Sequence, residues 1–393
     1  MMIYQRKIST CLREHLSLRQ ITVITGMRRT GKTTLVKQIL SEVNSENKLY
    51  IDFERFDERE LFMEKNYENI VYALSQRGLD FSQKVWLALD EIQNVPNLDS
   101  VIKYLYDKYN VKFILTGSCS FYLKNRITES LAGRKKIFEL FTLDFGEFLT
   151  FKEVPFQSGD WKKLNFNASE HERLKMYYDE FVEYGGFPEV VLTKNISEKR
   201  DLVQDILSSY INVDVRTLSD FRDIHNLERL IKLLGTRAGS RIDYSKLAIL
   251  SGISRPTLYN YLNFLEKTYI IWQMPVLTHN PNREIVKANK LFFHDNGILN
   301  ALSPISEGAK FENAVFNQLK HWGELRYYSL KNGREIDFIL DGKIAFEAKV
   351  SPTVNDLKTL TNLAENLQIN QYRLIGKHPT PNFSNFIWAG EIR

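Results

Sequence analysis

Only two cysteines, Cys11 and Cys119, occur in 393 residues. That excludes a disulfide framework and points to a reducing compartment. No apolar run approaches the ~18 residues of a spanning helix, so no membrane partner is expected. The opening MMIYQRKISTCLREHL has no apolar core of the signal-peptide kind. A cytoplasmic protein is the expectation. Repeats and low-complexity tracts are also missing. Charge of neither sign dominates: 53 Lys and Arg stand against 48 Asp and Glu, a net +5. This mild excess neither requires nor forbids nucleic acid, because only local clustering builds a binding patch. What is present is the composition of a folded globular chain, 43% hydrophobic and 26% charged. At this length several domains of ~100–200 residues are expected.

The first chemistry lies in QITVITGMRRTGKTT, residues 20–34. The β-branched run Ile21–Ile24 predicts a buried strand, and Leu35, Val36, Ile39 and Leu40 predict an amphipathic helix. Between them stands Gly26-x4-Gly31-Lys32-Thr33, the full phosphate-loop pattern. Its glycines let backbone N–H groups curl around phosphates at a helix N-terminus. Gly26, Arg28, Arg29, Thr30, Gly31, Lys32, Thr33 and Thr34 are the expected nucleotide-binding residues. Lys32 would reach the β- and γ-phosphates of ATP, and the Thr33 hydroxyl would ligate Mg²⁺. In KVWLALDEIQNV a second buried strand ends in Asp90-Glu91. A parallel sheet would set that end beside the phosphate loop, with Asp90 on Mg²⁺ and Glu91 orienting or deprotonating the attacking water. A third strand, VKFILTGSCS, carries Thr116 and Ser118 at its tip. A hydroxyl there either senses the γ-phosphate or caps the next helix.

GMRRTGKTT, LALDEIQ and ILTGS, followed by SLAGRKKIFELFTLDFGEFL, resemble an AAA-type ATPase of the archaeal and bacterial ATP-binding protein family. The resemblance implies that Arg134 senses nucleotide at a subunit or domain boundary, which allows a homo-oligomer; a salt-bridged surface arginine is the other reading. It also implies that Pro188, in Tyr184-Gly185-Gly186-Phe187-Pro188, borders the adenine. A plain turn competes with that. The family's L-x-F-x-E-F element falls on Leu143, Phe145, Glu147 and Phe148, and its D-x-G lies in KLFFHDNGILNAL.

Residues 151–176 lack a clear period and suggest a surface insertion, whereas 198–234 have helical spacing. In DYSKLAILSGISRPTLYNYLNFLEKTYIIWQMPVL a short helix, a turn at Gly252 and a helix capped by Ser254 precede a β-branched run, a winged-helix pattern. Leu258, Tyr261, Leu262 and Leu265 form its apolar stripe. Arg255, Thr257, Asn260 and Asn263 remain for DNA, unless the module is only structural.

Residues 334–350, REIDFILDGKIAFEAKV, alternate as a hairpin. Keeping both apolar sets on one core sets Leu340 opposite Ile344 around Asp341-Gly342-Lys343. Asp337 then faces Glu347, and Glu335 faces Lys349. Two like charges in register are unfavourable unless a divalent cation lies between them. Lys349 would orient water or stabilise developing phosphorane charge. Asp337-x9-Glu347-x-Lys349 resembles the PD-(D/E)xK nuclease motif, although Ile336 stands where a strict motif has Pro. The likeness implies a further carboxylate from a preceding helix, here Glu312, in a helix burying Phe311, Val315, Leu319 and Trp322.

The expected fold is α/β: a parallel-sheet P-loop ATPase domain (1–150), a helical lid (151–225), a winged helix (226–290) and a small α/β restriction-endonuclease-like domain (291–393). The expected function is ATP hydrolysis coupled to a DNA-interacting domain. In it Glu347 and Lys349 are catalytic, and Glu312, Asp337 and Glu347 hold Mg²⁺. The alternative is a nucleotide-switched regulator whose nuclease-like domain only binds DNA or a protein.

Overall fold

The computed structural model describes residues 4–117, 131, 133–157, 166–215, 224–278, 287–330, 332–379 and 385–393. The chain divides into two compact units, Met1–Phe141 with Lys267–Tyr269, and Thr142–Glu266 with Ile270–Arg393.

The first unit is built on five strands: β1 (Ile21–Thr25), β2 (Lys48–Asp52), β3 (Val85–Asp90), β4 (Val111–Gly117) and β5 (Lys135–Glu139). Their order is β2-β3-β4-β1-β5, and every pairing is parallel. Helices cover both faces, which is why β1 and β4 read as continuous apolar runs. Ile21 and Val23 pack with Leu87, Phe113 and Leu105 on one side. Ile24 packs with Leu12, Leu35, Val36 and Ile39 on the other. The period-two pattern of β1 thus serves two cores, and all the strands end together at the edge where the loop after β1 begins.

In the second unit, helices Phe145–Phe151, Ala168–Tyr184, Pro188–Leu192, Ile196–Ser209 and Ile224–Gly235 come first. Residues 151–176 are therefore only partly the expected insertion. From Ala168 the chain is helical, with His171 and Leu174 buried on a face too short within that window to show its period. Helix Tyr244–Ser251 ends at Gly252, whose φ of 73° satisfies a left-handed cap. Helix Arg255–Lys267 buries Leu258, Tyr261, Leu262 and Leu265 as expected. An antiparallel ribbon follows, β6 (Ile271–Met274) with β7 (Lys290–Phe293).

Helices Asn296–Leu302 and Glu307–Leu319 then lead into a mixed sheet of β8 (Leu325–Ser329), β9 (Glu335–Leu340), β10 (Ile344–Lys349), β11 (Gln371–Gly376) and β12 (Phe386–Trp388). Its order is β12-β11-β10-β9-β8. The β9–β10 register pairs Leu340 with Ile344 and Phe338 with Phe346, as the alternation requires. Both faces of β9 are covered, however. Phe338 packs on Phe292, and Ile339 joins Ala345, Leu360 and Leu374. Trp322 lies beyond its helix and is only half-buried, because the helix ends at Leu319.

The Gly-Gly and D-x-G motifs meet inside this unit. Asp295 caps helix Asn296–Leu302 and accepts a 2.8 Å hydrogen bond from Gly186 N. A Cβ on Gly185 would meet the Asp295 carboxylate at 2.2 Å, and one on Gly297 would meet the Tyr184 carbonyl at 2.3 Å. A Cβ on Gly186 would meet the Leu143 carbonyl at 2.2 Å, so close approach accounts for all three glycines.

Candidate functional site

In the first unit the loop after β1 folds back on itself. Gly31 (φ 94°) and Arg29 (φ 63°) take left-handed conformations. Gly26 lies under the Leu140 carbonyl, which a Cβ would meet at 2.1 Å. Lys32 is buried, its Nζ donating to the carbonyls of Gly26 (3.0 Å) and Met27 (2.9 Å). Thr30 Oγ1 donates to Met27 O (2.9 Å), and Arg28 is half-buried in the same loop. Arg29 and Thr34 are exposed. Arg6, which carries no sequence signal, braces the loop by donating to Thr30 O (2.9 Å) and Phe141 O (2.8 Å).

Thr33 Oγ1 donates to Asp90 Oδ2 across 2.7 Å, joining the start of helix Lys32–Glu42 to the end of β3. Tyr50 donates to the same oxygen (2.6 Å), and Thr116 donates to Asp90 Oδ1. Burial, and then the Asp90 carboxylate, push the Tyr50 phenol well above its usual range. Tyr50 is a site residue the sequence did not disclose, since an aromatic in an apolar strand reads as core. Glu91 holds φ 54° and ψ 50°, an uncommon conformation for a side chain of its kind. Its N–H donates to Thr116 Oγ1 (3.1 Å), and Gln93 donates to its carboxylate. Thr116 thus links both acidic residues, while Ser118 lies outside the described residues. A hydroxyl beside a buried carboxylate supplies the hard oxygen donors that suit Mg²⁺, so Thr33 and Asp90 fit that ion.

Arg134 is placed elsewhere. It precedes β5 at the end of the sheet opposite the phosphate loop, about 16 Å away over five strand residues. There it forms an exposed ion pair with Asp107 at 3.3 Å. Pro188 is the first residue of helix Pro188–Leu192 in the second unit.

A second cluster forms around the hairpin. Beyond the Phe338–Phe346 pair, side chains replace the ladder. Ala348 N donates to Asp337 Oδ2 (3.1 Å), and Asp337 N donates to Glu347 Oε2 (3.4 Å). Lys349 lies 2.7 Å from Glu347 and 3.9 Å from Asp337. The expected Glu335–Lys349 pair is not formed. Glu335 pairs with Lys290 instead, at 3.1 Å.

Lys290 also lies 2.7 Å from Glu312 and 2.9 Å from Asp337, with its side chain 1% exposed. An ammonium therefore sits among the carboxylates where a metal was expected. Among the described residues no group of three or more His, Cys, Asp or Glu is arranged to hold a metal ion. As arranged, Glu312, Asp337 and Glu347 do not fit one. Burial, and then Asp337, raise Glu312 and Glu347 to about 8. Asp337 is itself pushed up by burial, but Lys290 and Lys349 outweigh this and hold it below the usual carboxylate range.

A parallel sheet with a phosphate loop after β1 and a carboxylate of β3 on the loop's threonine defines a P-loop nucleotide-binding domain. Residues 18–149 match the family described as an AAA domain. Residues 175–309 and 307–384 match two domains of unknown function, DUF8612 and DUF4143. An uncharacterized protein of Methanocaldococcus jannaschii is 28% identical over 375 residues, covering 90% of this chain and 81% of that protein. One of Haemophilus influenzae is 28% identical over 334 residues, 81% of this chain and 79% of that one. Among solved structures, the Aeropyrum pernix ORC2 protein in ADPNP-ADP complexes aligns with a TM-score of 0.44 and 14% identity, over 77% of this chain and 94% of that one. No described helix is long and apolar enough to cross a membrane.

Proposed function

We propose that the chain binds and hydrolyses ATP in its first unit and uses its second to engage DNA. The observation that carries the hydrolytic reading is the 2.7 Å contact between Thr33 Oγ1 and Asp90 Oδ2, with Glu91 next in sequence and Lys32 in the loop. Bound Mg²⁺ would supply Lewis-acid neutralisation of phosphate charge. Thr33 and Asp90 would hold it, Lys32 would bind the β- and γ-phosphates, and Glu91 would orient water. Gln93 fixes the Glu91 carboxylate, and the strained Glu91 backbone aims it. Mg²⁺-dependent phosphate release by the purified chain, abolished in Lys32→Ala, tests this reading.

For the second unit we propose a helical lid, a winged helix and a nuclease-like α/β domain, in the segments 151–225, 226–290 and 291–393. The succession helix, left-handed glycine, helix and two-stranded ribbon supports the winged helix. The mixed sheet carrying Asp337, Glu347 and Lys349 beside Glu312 supports the nuclease-like fold. Lys290 favours the binding module over the cutter, because its ammonium already pairs with Asp337 and occupies the space beside Glu312. Cleavage would require Lys290 to leave. DNA cleavage with Mg²⁺ or Mn²⁺ that is lost in Lys349→Ala would restore the nuclease reading; binding without cleavage supports the regulator.

A further inference from the structure

We infer that an open groove in the second unit seats an unpaired nucleic-acid strand, with a base stacked on Tyr259 and phosphates on Arg241 and Arg255. The groove has a volume of about 740 Å³ and is lined by those residues with Tyr244, Asp243 and Glu335 among others. That is within the roughly 300–1,000 Å³ of ligand-sized sites. The rings of Tyr244 and Tyr259 stack at 4.8 Å and 27°, and Tyr259 remains 51% exposed. Tyr259, stacked on Tyr244 and half-exposed, is a platform for a further planar ring. Only an unstacked base offers one, so a single strand suits it better than a duplex.

The charges agree. Both acidic groups of the groove are engaged: Asp243 caps its helix through Lys246 N, and Glu335 pairs with Lys290. Arg241 and Arg255 are exposed, and neither pairs with a carboxylate among the described residues; Arg255 donates only to Ser245 Oγ. Through Glu335 the groove adjoins the cluster of Lys290, Glu312 and Asp337, so a strand in the groove would lie beside that cluster. The inference rests on the second unit's engaging nucleic acid. It does not rest on cleavage or on ATP hydrolysis.

The test is fluorescence anisotropy of the full-length chain with a labelled oligothymidylate of about 16 nucleotides, in EDTA and without ATP. Tyr259→Ala is expected to weaken binding roughly tenfold, and Tyr259→Trp to retain it. Arg241→Ala with Arg255→Ala should flatten the log–log salt dependence by about 1.4, two contacts' worth. An oligouridylate of the same length compares RNA with DNA; binding of either with the same dependence on Tyr259 supports the proposal. Wild-type affinity in Tyr259→Ala would overturn it. So would equal binding of a duplex, equal competition by thymidine monophosphate, or no binding at all. Lys32→Ala should leave groove binding intact, so failure of the ATPase reading is seen separately.

Discussion

Lys290 Nζ lies 2.9 Å from Asp337 Oδ1, and the two residues, 47 positions apart, are both almost fully buried. One ammonium at the start of β7 thus serves carboxylates from β9 and from helix Glu307–Leu319. Its desolvation is offset only while all of these contacts hold.

Lys290→Met should therefore be strongly destabilising, by about 3–5 kcal/mol, because it leaves the buried, ionised Asp337 without its cation. Urea unfolding monitored by circular dichroism measures this. If a divalent ion can take the ammonium's place, Mn²⁺ will raise the unfolding midpoint of Lys290→Met and not that of the wild type. A variant indifferent to Mn²⁺ would exclude metal at that position.

Stability should also depend on pH through this cluster. Glu312 and Glu347 are raised from an ordinary 4.5 to about 8 by burial and then by Asp337, with Lys290 and Lys349 opposing. Between those values the folded chain keeps protons that the unfolded chain has released, so stability falls as pH rises through the window. Asp337, held low, acts oppositely: its contribution is present above the ordinary carboxylate range and is lost as pH falls through its lowered value. Glu347→Gln should flatten the decline between about pH 5 and 8, measured as unfolding midpoints. An unchanged slope would remove Glu347 from the account.

At the phosphate loop, binding and hydrolysis should separate. Glu91→Gln should keep the stabilisation by Mg²⁺-ATP, about 2.7 kcal/mol at a hundredfold excess over Kd. Its turnover should fall by roughly 10²–10⁴. Lys32→Ala should lose both. Thermal shift and phosphate release read the two effects on one preparation.

Two glycines should respond unequally to alanine. At Gly26 the new methyl would meet the backbone carbonyl of Leu140, so the loop must move and the ATP-induced thermal shift should vanish. Gly252 has nothing within 4 Å, and only its left-handed φ opposes the change. Its cost should be about 1–2 kcal/mol with ATP binding intact. Equal effects at the two positions would contradict the close approach at Gly26.

The phosphate loop was legible because its chemistry is local: strand, glycines, Lys32 and Thr33 are contiguous, and Asp90 ends its own apolar run. The hairpin register was legible for the same reason, since alternation alone sets Leu340 against Ile344. What the sequence hid is long-range. Lys290 opens an apolar strand as one of many lysines, and nothing periodic ties it to Glu335, 45 residues on. Arg6 and Tyr50 were silent in the same way. The D-x-G motif could be noticed but not explained, because its partner Gly186 lies 109 positions earlier.

Helix Glu307–Leu319 straddles the place where the two matched segments of unknown function meet. Asn313 exchanges hydrogen bonds with Phe293, donating through its amide (3.1 Å) and accepting from the Phe293 N–H (2.7 Å), and Asn317 also donates to Phe293 O (3.0 Å). The same helix carries Glu312 to Lys290. A recombinant fragment beginning at residue 307 would strip these amides of their acceptors and leave that carboxylate without its counter-ion. A fragment ending at 309 would bare Phe292, whose ring stacks on Phe316 at 4.6 Å. The seam drawn by sequence families is not a seam of the material, and neither piece is a sound candidate for expression on its own.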